Sequence, residues 1–484
     1  MDSQINGGRP ATAEPARPAA GGGPWRVFWV LALIEFMSVM DASVVNIALP
    51  SIQHNLGFSP TTIAWVVNGY VVGFAGFMLL AGKATDIVGR KRLFVAGVAM
   101  FAVFSLACAA AQQPWQLVLF RLLQGIGAAL VTPAALALIT DIFPEGPQRN
   151  KAIGMFSGMA GVAAPVGLVL GGLLTTAAWQ WIFLINGPIG LIVLVAAIRL
   201  LPSTVPSGGG SLDVIGAVTA TGGLVLLILA TVGGSAQGWT SAATLGEYAG
   251  ALVLLVAFVV RQRTAARPMI PTVLLGRRSI VFGNTIFALV GTILIGTFFL
   301  ITLFLQKVEG FGSTEAALIY LPVPIGMLLG TQVAPRLLGR GPHNVLMLGL
   351  LVQTVALAAW ALTISEHGSV VMTFVVPATV WSFGLGMSIV SSFVVCTMGL
   401  DGPIAGAASG LATTTYQAGG ALGLAVLAVV ADSRTEHNLA IGAPDGPLHA
   451  LVVGYSTALW CAAGVALVGA LLTRLIMRRS AAAA

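Results

Sequence analysis

The chain has 484 residues, 57% of them hydrophobic and only 8% charged, with a net charge of +7 and a mean hydropathy of +0.95. Soluble domains carry roughly 25% charged residues, so a chain this poor in charge cannot cover a water-facing surface; the composition reads as an integral membrane protein. The basic balance would suit nucleic acid only if the cations shared one solvated face. They sit in short connections instead, so no nucleic-acid partner is expected.

Residues 1–24, rich in Pro, Gly and Ala, read as a disordered tail with no apolar core. The first apolar segment starts at Trp25 and is too long for the core of a signal peptide. Fourteen apolar runs follow, at 27–49, 61–81, 93–112, 115–139, 153–175, 181–200, 214–233, 245–260, 281–304, 316–335, 345–364, 371–397, 407–431 and 451–474. They are long and continuous, which predicts membrane-spanning helices and not the alternating strands of a barrel. With the N-terminus in the cytoplasm, 20 of the 23 Lys and Arg fall in cytoplasmic segments; only Lys307 and Arg434 lie outside, and Arg121 lies within a span. That skew predicts fourteen helices with both termini cytoplasmic. Cys108, Cys396 and Cys461 fall in apolar spans and read as packing residues, not disulfides.

The first span carries two carboxylates, Glu35 and Asp41, and the fourth carries Arg121. A charge at the bilayer centre costs roughly 2.5–3.5 kcal/mol on insertion scales, so such residues are rare and mark function. Arg121 lies six residues from Trp115, or ~9 Å deep, and Asp41 nine residues from Pro50, or ~13 Å, so their depths nearly match. Pairing would favour the charged carboxylate and burial the neutral one, a balance that lets a site load and release a proton. The plainer alternative is a static ion pair tying two helices together. Glu35 points about 120° away from Asp41 on a helical wheel. It is open to three readings: binding cationic substrates, carrying a second proton, or hydrogen-bonding a neighbouring helix while protonated.

In the fifth span Gly158, Gly161, Pro165 and Gly172 fall within about 40° of Gly154 on a helical wheel, a small-residue face that permits close helix approach. Between the sixth and ninth spans lie the linker LPSTVPSGGGS (Leu201 to Ser211) and a helix pair. There is an internal echo as well: MLLAGKATDIVGR (Met78 to Arg90) against MLLGTQVAPRLLGR (Met327 to Arg340). Together these divide the chain into a tail (1–24), a six-helix half (25–201), a linker with two inserted helices (202–278), a second six-helix half (279–479) and a tail (480–484). Parallel repeats of this kind mark transporters whose halves rock about a midplane site.

Four motifs carry a family resemblance. Gly82 to Arg92 (GKATDIVGRKR) looks like the cytoplasmic loop signature of the major facilitator superfamily, and Arg121 to Gly127 (RLLQGIG) like its fourth-helix arginine motif. Asp41 to Pro50 (DASVVNIALP) resembles the first-helix signature of the fourteen-span drug:proton antiporter branch, and Trp179 to Pro188 (WQWIFLINGP) the start of helix six. The resemblance implies an all-α major facilitator fold, two six-helix halves plus two inserted helices, in a bacterial cell membrane. It implies a transporter and not an enzyme: a proton-coupled exporter of lipophilic or cationic drugs. Export of an endogenous metabolite or lipid is the alternative, and proton-coupled import a further one. No cofactor or metal is implied, the proton gradient supplying the energy; the partners are substrate, protons and membrane lipid, and a monomer is expected.

The same resemblance assigns proton coupling to Asp41, Arg121 and, by extension, Glu35. It makes Gly82, Asp86, Gly89, Arg90, Lys91 and Arg92 a gating loop, in which Asp86 pairs with the adjacent arginines or faces a helix N-terminus of the other half. The plain alternative is a basic loop that only sets topology. The antiporter signature of the fifth helix maps onto Gly158, Gly161, Pro165, Gly167, Gly171 and Gly172. Where the family has Gly-Pro before a Gly-Gly pair, this chain has Gly167-Leu168 before Gly171-Gly172, with its proline three residues earlier. Candidate cavity residues are Glu35, Asn46, Trp65, Asn68, Tyr70, Gln124, Met155, Met159 and Gln417, a few polar groups among aromatics and methionines that suit varied lipophilic ligands.

Overall fold

The structure, a computed structural model, describes residues 23–482 except 61, 145–146, 203–212, 266–267, 269, 271, 366–367, 399, 401 and 442–445. Residues 1–22 of the predicted tail 1–24 and most of the linker lie outside the described residues. Among the described residues every element is helical: α1 (Pro24–Leu56), α2 (Trp65–Val88), α3 (Arg90–Ala109), α4 (Pro114–Ile142), α5 (Pro147–Ala177), α6 (Trp181–Leu184), α7 (Asn186–Leu200), α8 (Val214–Gln237), α9 (Ala242–Thr264) and α10 (Thr272–Gly276). There follow α11 (Arg278–Lys307), α12 (Ser313–Tyr320), α13 (Pro322–Leu337), α14 (Pro342–Thr363), α15 (Val376–Thr397), α16 (Gly402–Ala440) and α17 (Gly446–Ala482).

Every predicted span falls on one of these helices or on a pair. Among the described residues, twelve helical spans are long and apolar enough to cross a membrane. The second predicted span lies on α2, whose described apolar part is Trp65–Met78.

Prolines explain where helices break. Pro188 has no N–H to give the carbonyl of Leu184, and the sixth span is divided at Ile185 into α6 and α7. Pro322 divides α12 from α13 in the same way, and a π turn, Val371–Val375, precedes α15 near Pro377.

The two halves pack by one scheme. In the first, α1 lies on α5, α2 on α4, and α3 on both α4 and α7; in the second, α11 lies on α16, α13 on α15, and α14 on both α15 and α17. The turn between α2 and α3 is made by Gly89 at φ 98°, ψ 135°, and that between the short 3-10 turn Leu338–Arg340 and α14 by Gly341 at φ 97°, ψ 127°. Both values are open only to glycine, so each half builds its tight turn on one residue. The halves meet where α2 lies on α16 and α5 on α12. At the end of the bundle where α1 finishes, Gln306 Nε2 donates to the Ile47 carbonyl at 3.0 Å and Thr314 Oγ1 to the Gly172 carbonyl at 3.2 Å. Helices α8 and α9 pack on each other, and α8 touches both α2 and α16.

Candidate functional site

Asp41 and Arg121 meet in the interior of the first half. Arg121 Nη1 donates to Asp41 Oδ2 at 2.5 Å, and both side chains are essentially fully buried. Three more donors and acceptors complete the pair. Arg121 Nη1 also donates to Gln124 Oε1 at 2.7 Å, its Nε to the Val66 carbonyl at 3.1 Å, and Gln124 Nε2 to Asp41 Oδ1 at 3.0 Å. Asn186 Nδ2 donates to Asp41 Oδ1 at 2.7 Å and to Ser105 Oγ at 3.0 Å, while Ser105 Oγ donates to the Phe183 carbonyl at 3.0 Å. The guanidinium carbon stands 4.4 Å from the centroid of the Tyr70 ring and 5.7 Å from that of Phe183, within cation–π range. A buried charge pair breaks even only when its remaining hydrogen-bonding capacity is met, and here helices α1, α2, α3, α4 and α7 all contribute to meeting it.

Local structure explains the convergence. Gln124 is one helical turn from Arg121 and shares its face. Asn186 opens α7 at the break forced by Pro188, which turns its side chain inward from the helix start. Gly167 and Gly171 of α5 let that helix lie directly on α1: a Cβ on Gly167 would stand 2.7 Å from the Met40 carbonyl oxygen, and one on Gly171 2.9 Å from Val44 Cγ2. These two glycines flank Asp41 on either side. They lie about 100–140° around the helix from Gly172 of the predicted glycine stripe, which instead reaches the other half through Thr314. The side chains of Gly154, Gly158, Gly161 and Pro165 lie outside the described residues.

Glu35 stands apart from this network. Its Oε2 accepts from Thr132 Oγ1 of α4 at 3.1 Å, and the side chain is half-buried. Tyr70 lies between the two acids, sharing a 2.7 Å hydrogen bond with Ser38. The other cavity candidates scatter. Asn46 donates to the Ala42 carbonyl of its own helix at 2.9 Å, Met155 and Met159 pack half-buried against the core, and Gln417 is half-buried on α16. Asn68 is fully buried with neither amide atom partnered. Trp65 does not join the Asp41 site. It lines an apolar groove of about 480 Å³ between α2, α4 and α8, with Trp115, Val118, Leu122, Val225 and Leu229. Its position at the start of α2 turns it toward the inserted helix, a neighbour that helical periodicity alone does not reveal.

The gating motif is helical, not a loop, up to Val88, and the turn is Gly89 alone. Arg90 pairs with Asp141 at the end of α4 and donates to the Ala137 carbonyl at 3.0 Å, where sequence reasoning looked to Asp86. Lys91 Nζ donates to the Ile198 and Leu201 carbonyls that close α7, at 2.8 and 2.7 Å, a cation at the negative end of a helix. Arg92 is exposed, Gly82 is half-buried, and the Asp86 side chain lies outside the described residues. Asn186 and Ser105 were not foreseen as site residues. Asn186 stands inside a quoted motif, so its signal was a polar residue within an apolar span beside a helix-breaking Gly-Pro.

The sequence profile of the Major Facilitator Superfamily matches residues 31–424. The chain belongs to the Major Facilitator Superfamily. As a member of this superfamily of transporters it is a multi-pass protein of the cell membrane. It is 38% identical over 410 residues to the cephamycin export protein of Amycolatopsis lactamdurans, covering 83% of this chain and 84% of that one. It is 34% identical over 475 residues to the puromycin resistance protein of Streptomyces alboniger, covering 95% and 93%. It is also 34% identical over 448 residues to the MFS-type transporter EfpA of Mycobacterium tuberculosis, covering 90% and 83%. Among solved structures, a bacterial homologue of the human lysosomal transporter Spinster superposes with a TM-score of 0.68 at 17% identity, covering 95% of this chain and 98% of that one, a likeness of fold.

Proposed function

We propose that this superfamily member is a proton-driven antiporter that exports small lipophilic or cationic compounds, antibiotics among them, by alternating access. The observation that carries the reading is the buried Asp41–Arg121 pair with its hydrogen-bond shell. An intramembrane carboxylate so fully partnered is costly to build and is expected at an ion pathway. The relatives, a cephamycin exporter and a puromycin resistance protein, support efflux as the direction. The Lys and Arg distribution supports fourteen crossings with cytoplasmic termini, α8 and α9 forming an inserted pair between two six-helix halves. No cofactor is invoked; the proton gradient is the energy source.

In this reading a proton entering from outside loads Asp41, and Arg121 loses its counter-charge. A protonated Asp41 becomes a donor, and Asn186 has a buried Oδ1 with no partner; a flip of its amide presents that acceptor to the new O–H. Arg121 keeps Gln124 and Val66 as acceptors. The hydrogen bonds at Ile47 and Gly172 then act as the outer gate, and they part as the halves rock. Glu35, held by Thr132 away from this shell, is the second carboxylate that receives a cationic substrate or a second proton.

The test is uphill efflux from proteoliposomes under an imposed pH gradient. Asp41→Asn is expected to abolish uphill transport while preserving downhill exchange. Uphill efflux at the wild-type rate in Asp41→Asn would remove Asp41 from the coupling role. A second reading, export of a compound made by the same cell, is favoured by the cephamycin export protein; disruption of the gene with accumulation of one cell-made compound would support it.

A further inference from the structure

In the second half, five aromatic rings close on one another. Phe298 of α11 lies 5.5 Å from Tyr320 of α12 and 5.7 Å from Trp381 of α15 between ring centroids. Tyr320 lies 6.2 Å from Phe374, Phe374 5.5 Å from Trp360 of α14, and Trp360 6.2 Å from Trp381. The circuit is complete. Tyr320, Trp360, Phe374 and Trp381 are at most 1% exposed, and Phe298, on the helix that touches α1, is the least buried member.

Three of these rings carry donors with no partner: Tyr320 Oη, Trp360 Nε1 and Trp381 Nε1. A buried Tyr or Trp ordinarily finds a partner for its polar atom, and leaving one unmade forfeits its hydration with nothing in return. Three within one aromatic circuit is a concentration that packing alone does not require, since Phe would fill much of the same space without the cost. Backbone irregularity gathers at the same place. Tyr320 ends α12 at the break before Pro322, and Phe374 sits in the π turn Val371–Val375. At membrane depth such departures occur where backbone is buried in protein or lines a cavity, and π turns recur at functional sites.

Depth relates this circuit to the ion pair. Tyr320 is six residues from Thr314 and Phe298 eight from Gln306, while Asp41 is six from Ile47; Thr314, Gln306 and Ile47 all take part in the hydrogen bonds between the halves. At 1.5 Å per residue all three stand ~9–12 Å below that closure.

We propose that Phe298, Tyr320, Trp360, Phe374 and Trp381 form the second-half substrate subsite. It takes planar, largely apolar compounds through ring contacts, and its three donors bind their carbonyl or ether oxygens. This rests on the reading of the chain as an exporter of lipophilic compounds and adds the chemical class: ring systems with hydrogen-bond acceptors. A hydrocarbon of the same shape would fill the ring contacts and leave the donors unmet.

The test compares tritiated 9,10-anthraquinone with tritiated anthracene, the same plane with and without carbonyls, binding to the purified full chain by scintillation proximity. Wild type is expected to bind the quinone at least ~5-fold more tightly, the scale of one or two neutral hydrogen bonds. Tyr320→Phe and Trp381→Phe, checked for unchanged gel-filtration profile and thermal unfolding, are each expected to lose most of that preference while keeping anthracene affinity. Equal affinity for the two probes in wild type, no binding of either, or an unchanged preference in both variants would overturn the proposal; the donors would then be met by buried water. The wild-type comparison stands even where a variant does not fold. Binding is read without a pH gradient, so failure of proton coupling leaves the result interpretable, and Asp41→Asn is expected to keep the quinone preference.

Discussion

Asn186 at the start of α7 donates a 2.7 Å hydrogen bond to Asp41 of α1, joining residues 145 positions apart. It bridges on to Ser105 of α3, so three helices are tied through one amide. Removing it in Asn186→Ala takes a donor from a buried carboxylate, a loss of about 1.5–3 kcal/mol. Uphill efflux is expected to fall ~10-fold or more, with exchange less affected, when both are measured in proteoliposomes. Equal losses in the two assays would make Asn186 purely structural.

Arg121 and Asp41 are predicted to depend on each other. Arg121→Ala strands a buried carboxylate and should cost about 3–5 kcal/mol. Asp41→Asn combined with Arg121→Gln removes both charges and should recover much of the stability without recovering uphill transport. Thermal unfolding in detergent, followed by flux measurement, separates the two effects.

Gly167 and Gly171 are expected to tolerate no side chain. In Gly167→Ala a new Cβ would stand 2.7 Å from the Met40 carbonyl oxygen, so α5 has to move off α1 beside Asp41. Overpacking of this kind costs about 1–3 kcal/mol. Gly464→Ala on α17, where a Cβ meets nothing within 4 Å, is the control and should gain a few tenths to 1 kcal/mol from helix propensity.

Glu35→Gln keeps the acceptor for Thr132 and removes only the charge. Export of a cationic compound is expected to drop while that of a neutral compound of similar size holds. Parallel loss for both would move Glu35 from substrate recognition to proton carriage.

Asp213 predicts a pH dependence outside the membrane. Burial works to raise its pKa, but the Gly216 N–H, Arg261 at 3.0 Å and Gln262 outweigh it, so the net shift is downward. A carboxylate whose folded pKa is depressed lends stability that is present above its unfolded value, about 3.9, and lost as pH falls through the folded pKa. Asp213→Asn is therefore expected to lower the thermal midpoint at neutral pH and to converge with wild type in strong acid.

The long apolar runs and their helical nature were legible from composition, because a bilayer admits so few alternatives. The family was legible as well, since its motifs are contiguous stretches of charge and glycine inside apolar sequence. Asp41 and Arg121 could be matched by depth, since rise per residue is a constant of the helix. What lies around them could not. Asn186 reaches Asp41 only because Pro188 breaks a helix, and Arg90 takes Asp141 as its partner because α3 and α4 pack side by side. Trp65 faces α8 for the same kind of reason. Periodicity along one helix says which residues share a face, whereas the identity of the facing helix depends on packing among all of them. The sequence alone therefore determined membrane residence, family and the two opposed charges; only the tertiary structure decided which side chains hold those charges and which aromatic rings in the other half stand ready with unmet donors.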